Sequence, residues 1–85
     1  PAHFELAELL LIDQQAWQAK HHYQQGLAVE PNQISAWINL AQAEIRLEDF
    51  PSAYASADRA CRLDPKSREA LFNRAVAARA MERVD

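Results

Sequence analysis

The sequence predicts an all-α protein of stacked antiparallel helical hairpins, about five helices in one domain. Three observations predict it. With one Gly and four Pro in 85 residues, and Ala, Leu, Gln, Glu and Arg abundant, the composition favours helices and offers little for β-hairpin turns. Apolar residues recur at helical spacing within each segment. The whole pattern also repeats after 34 residues without a gap: Pro31 with Pro65, Glu30 with Asp64, Val29 with Leu63, Leu6 with Leu40, Ala19 with Ala53, and Gly26 with Ala60. Ala7, Ala41 and Ala75 share one column, and His3, Trp37 and Leu71 another.

The elements follow in order. Residues 1–33 form a first repeat, with helices expected over 3–12 and 17–29; residues 34–67 form a second; residues 68–85 hold the first helix of a third. Within the second repeat Trp37, Leu40, Ala41 and Leu47 mark one helix face, and Ser35 suits its N-cap. "LEDFPSA" then interrupts the helix: Asp49 can cap the next one, and Pro51 fits its first turn, where a missing N–H costs nothing. Ala53, Ala57, Ala60 and Cys61 line up as a small-residue stripe, which lets a second helix approach closely. Asp64-Pro65 ends it. Arg74, Arg79 and Arg83 make the last helix more polar, as suits a solvating cap or a helix whose own partner lies beyond the chain.

Composition also limits function. The net charge of −3 argues against a nucleic-acid partner, whose binding surface is basic. Up to Glu44 the only Lys or Arg is Lys20, against five acids, whereas the remainder carries eight Lys or Arg against seven acids. No apolar run approaches the roughly 20 residues of a membrane span. A single cysteine excludes an intrachain disulfide, and its place in the small-residue stripe favours a buried thiol. Without an initiating Met or a signal peptide, the chain reads as a piece of a longer protein. No phosphate loop, catalytic triad or paired catalytic carboxylates stand out, and no cofactor is expected. His21 and His22 point about 100° apart on a helix, which suits solvated side chains better than metal ligands.

The residues Trp37, Leu40-Ala41, Phe50, Ala53, Ala60 and Pro65, at this spacing, resemble the tetratricopeptide repeat, and the resemblance covers the whole chain. It departs at Glu44 and Ala78, where the family often has Tyr, at His3 in the Trp37 column, and at Arg74 in the Leu40 column. The resemblance implies a right-handed α-solenoid whose concave face, lined by the first helix of each hairpin, binds a protein or peptide. By the 34-residue offset that face would hold Phe4, Ile38 and Phe72; Glu8, Gln42 and Val76; Leu11, Ile45 and Arg79; and Asn39 with Asn73. Ile38, Ile45 and the aromatics would supply apolar contact, the asparagines would pair with a peptide backbone, and Arg46 with Arg79 would meet an acidic group. The positions with which related domains clamp the carboxylate tail of heat-shock chaperones hold Phe4, Glu8, Asn39, Glu69 and Asn73, of which Asn39 alone matches, so that ligand is not expected.

The role expected is therefore a non-catalytic interaction module. Two alternatives are a repeat segment presenting substrate to an enzyme, as the asparagine column of the glycosyltransferase that modifies serine and threonine with N-acetylglucosamine suggests, and self-association. A homo-oligomer would form through the repeat ends, where His3, Leu6 and Leu10 lie on one side and Leu71 and Met81 on the other.

Overall fold

The computed structural model describes the backbone of residues 2–83 and the side chains of residues 15–83. Four helices make up the described residues, with no strand among them: α1 (Ala2–Val29), α2 (Ile34–Arg46), α3 (Phe50–Leu63) and α4 (Arg68–Glu82). The all-α repeat class is thus as expected, and the helix count is one lower. The expected break between residues 12 and 17 is absent, and α1 runs uninterrupted for 28 residues.

The turn that does form, between α2 and α3, explains the one that does not. The Glu48 N–H donates to the Ile45 carbonyl, and the Asp49 N–H reaches back to the Glu44 carbonyl. Glu48 takes φ of 59°, the left-handed residue of a Schellman ending. Pro51 then sits in the first turn of α3, behind Asp49 at the N-cap. One period earlier these positions hold Gln14, Gln15, Ala16 and Trp17, which are helix-compatible and include neither the capping acid nor the proline. The helix therefore continues. At its other boundary α2 starts at Ile34 with Gln33 as N-cap, two residues before the expected cap Ser35. Ser67 caps α4, its hydroxyl accepting from the Ala70 N–H at 3.3 Å.

Packing centres on α3, which lies between α2 and α4; α2 in turn packs against α1 and touches α4. The core is rich in alanine: Ala41, Ala53, Ala57, Ala60, Ala70 and Ala77 are wholly buried, and no large side chain among the described residues is. Small side chains put helix axes at the short end of the usual 8–10 Å range, so backbone contact supplies much of the interface. One apolar cluster joins Ile38, Ala60, Cys61 and Ala70, flanked by Ile34 and Trp37. A second joins Leu27, Ala36 and Leu40, flanked by Tyr23 and Trp37. Trp37 bridges the two, and its indole N–H donates to the Pro31 carbonyl at 2.7 Å, tying the repeat's aromatic to its proline turn. Cys61 is buried, as expected of its stripe, whereas Trp17 on α1 is 60% exposed.

Candidate functional site

A groove of about 770 Å³ runs across three helices, walled by Asn39, Gln42, Ala43, Ile45 and Arg46 of α2, by Glu69, Phe72, Asn73 and Val76 of α4, and by Gln15, Ala16, Ala19 and Tyr23 of α1. Of the residues expected on the concave face, Asn39, Gln42, Ile45, Arg46, Phe72, Asn73 and Val76 come together here. Phe72 is 68% exposed, a large apolar side chain held out of the core on a rigid helix. Phe4, Glu8 and Leu11 lie outside the residues whose side chains are described. Arg79 is exposed on α4 but is not part of the groove wall.

Ile38 is a correction. Expected as an exposed groove contact, it is buried in the cluster with Ala60, Cys61 and Ala70, because its face of α2 points at the α3–α4 junction. Asn73 is also less free than its column suggested: it is buried, and its amide donates to the Ile38 carbonyl at 3.4 Å, a long bond that ties α4 to α2. Asn39 is half-buried on the groove wall. The α1 wall was missed by reasoning that assigned residues 17–29 to an outer helix. Its signal was present as the spacing of Ala16, Ala19 and Tyr23, i, i+3 and i+7 on one helix face.

Behind the groove lies a polar cluster that the sequence reading also missed. Glu44 is buried and accepts a hydrogen bond from the Ser56 hydroxyl. Lys20 of α1 stands 3.4 Å from the Glu44 carboxylate and 3.1 Å from that of Asp49. Burial raises the Glu44 pKa, against the opposing pull of Ser56 and Lys20. Hydrogen bonding by Ser52, aided by Lys20 and opposed by some desolvation, lowers that of Asp49. Desolvation at Lys20 is outweighed by its two acidic partners, and its pKa is raised. The cue was that Lys20 is the only Lys or Arg ahead of Glu44, while Glu44 occupies a packing position. The cluster joins α1 to the α2–α3 hairpin and so holds the groove's third wall in place.

Among the described residues no group of three or more His, Cys, Asp and Glu could hold a metal ion, and no helix is long and apolar enough to cross a membrane. His21 and His22 are both exposed.

Comparison with known proteins bears on this arrangement. The family profile described as tetratricopeptide repeat matches residues 34–77, a segment that holds α2, α3 and most of α4. The tetratricopeptide repeat-containing protein trd-1 of Caenorhabditis elegans is 32% identical over 76 residues, covering 89% of this chain and 10% of that protein. The protein O-mannosyl-transferase TMTC3 of Homo sapiens is 36% identical over 76 residues, covering 88% of this chain and 8% of that protein. The chain thus spans a tenth or less of the length of these two relatives. No solved structure gives a significant match. Since the matched segment is more than half of the chain and coincides with its helical hairpin and the helix stacked on it, the chain belongs to the tetratricopeptide repeat family.

Proposed function

We propose that the chain is a non-catalytic protein-interaction module whose groove across α1, α2 and α4 takes an extended or helical segment of a partner protein. Membership of the tetratricopeptide repeat family supports the interaction class. The observation that carries the groove reading is the exposed Phe72, beside Val76 and Ile45 and edged by the amides of Gln42 and Asn39 and the guanidinium of Arg46. Apolar area at the centre with a polar rim is the usual anatomy of a recognition surface. An aromatic on a rigid helix is the usual anchor within one. Arg46 lines the groove and Arg79 does not, which supports Arg46 as the partner of an acidic group of the ligand.

The test is selection of binding peptides from a random display library, followed by titration against wild type, Phe72→Glu and Arg46→Glu. Phe72→Glu should weaken the selected peptides by about tenfold or more, a loss typical of an anchor residue, with helicity unchanged because that side chain is exposed. Arg46→Glu should weaken acidic peptides selectively. Peptides that bind wild type and Phe72→Glu equally would place recognition elsewhere. Ile38→Asp is unsuitable, since Ile38 is buried and its replacement unfolds the site along with any contact it makes.

A further inference from the structure

We propose that residues 2–12 of one copy dock against the α1–α2 wall of a second copy, so that two chains exchange their first helices in a symmetric dimer. The argument begins with an exposure mismatch between repeats. On α3 the column Ala53, Ser56, Ala57 and Ala60 is buried. One period earlier, on α1, the same column reads Ala19, His22, Tyr23 and Gly26, of which the first and third are half-open and the other two exposed. A Cβ placed on Gly26 would meet nothing within 4 Å, whereas its counterpart Ala60 is wholly covered. The asparagine column shows the same contrast, Asn73 buried against the preceding helix and Asn39 half-open. One helix is missing from this seat.

The 34-residue register says which helix belongs there. Leu6 and Ala7 align with Leu40 and Ala41, both buried, and His3 aligns with Trp37, which bridges the core clusters. Residues 2–12 thus carry the sequence of a helix that packs on such a column, yet in α1 they run on in line with the helix they would cover. At about 1.5 Å per residue, Leu6 stands roughly 25 Å along the axis from Tyr23, out of reach of its own seat. Each chain therefore carries this helix sequence out of reach of its own unfilled seat, and exchange between two copies brings the two together without new chemistry. Charge agrees: the arm carries Glu5 and Glu8 and no Lys or Arg, and the receiving wall includes Arg46. In such a dimer Phe4, Glu8 and Leu11 would line the same concave strip as Ile45, Phe72 and Val76, each strip completed by the partner copy. The seat is the α1–α2 side of the groove, Ala19 and Tyr23 with Asn39 and Arg46, so the docked arm takes up that side and leaves the α2–α4 strip to a partner segment.

Sedimentation velocity of the full chain over a wide concentration range tests this, with far-UV circular dichroism as the control for folding. Wild type should sediment at twice the 9.6 kDa chain mass. Leu6→Asp, on the arm, and Gly26→Arg, in the seat, should each weaken dimerisation by about tenfold or more while helicity holds. Gly26→Arg adds a better helix former where there is open space, so loss of folding is not a route to that result. The pair Gln15→Asp with Trp17→Pro, which restores the capping acid and proline of α3, should let the arm fold back on its own chain and give a monomer of higher melting temperature. A wild type that stays monomeric at every concentration overturns the proposal. So does a dimer untouched by Leu6→Asp and Gly26→Arg, or one lost on Leu71→Asp instead, which would assign association to the α4 end.

Discussion

Glu44 lies where α1, α2 and α3 meet, and its raised pKa means that the folded chain binds a proton there more readily than the unfolded chain does. Its contribution to stability is therefore complete below the ordinary value of 4.5 and declines as pH rises through the folded value. Asp49 works the other way: its contribution is present above 3.8 and is lost as pH falls through its lowered folded value. Urea midpoints measured against pH should fall on the neutral side of the carboxylate range in wild type and stay flatter there in Glu44→Gln. Lys20→Met should cost about 1–3 kcal/mol at neutral pH, the usual penalty when a buried charged acceptor loses a partner, Ser56 alone then remaining to Glu44. Part of that loss should return near pH 4.5, where Glu44 can take up a proton instead. A loss independent of pH would mean that Lys20 acts through its packing alone. Glu48, at positive φ with a bulky side chain, should be improved by Gly by up to about 1 kcal/mol, since glycine reaches the left-handed region without Cβ strain.

At the scale of elements, helix ends and helix contacts each yield a measurable expectation. Ser67→Ala should destabilise by about 1 kcal/mol, because the Ala70 N–H loses its acceptor at the start of α4. Ala41→Leu should cost about 1–3 kcal/mol by overpacking, because Ala41 is wholly buried in an alanine-rich core. Chemical denaturation of both variants checks these; an unchanged midpoint for Ala41→Leu would contradict the close approach of α2 to its neighbours. The helices from 34 onward were legible because each boundary carries its own punctuation, Pro51 behind Asp49 and Pro65 behind Asp64. The first repeat was misread because periodicity alone suggested a hairpin. Periodicity marks faces, whereas a turn requires residues that stop a helix, and Gln14, Gln15 and Ala16 do not.

At the scale of the whole molecule, an alanine-rich core with room for few large side chains leaves others, Phe72 and Leu71 among them, at the surface. Phe72 walls the groove, whereas Leu71 and Ala75 are exposed elsewhere on α4. Leu71 and Ala75 are the α4 counterparts of Trp37 and Ala41, so they mark the face on which α3 packs in the preceding repeat. The molecule thus offers two uncovered surfaces, the unfilled seat on the groove's α1 wall and this face of α4. Both invite helices, and only the first has a candidate within the chain.

What the sequence determined by itself was the repeat: its 34-residue period, the small-residue stripe that becomes the alanine-rich core, and the positions from Asn39 to Val76 that share the groove wall. These are properties of spacing, and the fixed geometry of the α-helix converts spacing into faces. Tertiary structure alone decided which face meets which neighbour. It sank Ile38 into the α3–α4 junction, set Asn73 against the Ile38 carbonyl, and gathered Lys20, Glu44, Asp49 and Ser56 into one cluster. Residues 20 and 44 come from helices whose relative placement no local pattern encodes. Burial and ion pairing at such a junction depend on how far a neighbouring helix reaches, and the unbroken α1 changed that reach for the whole first repeat.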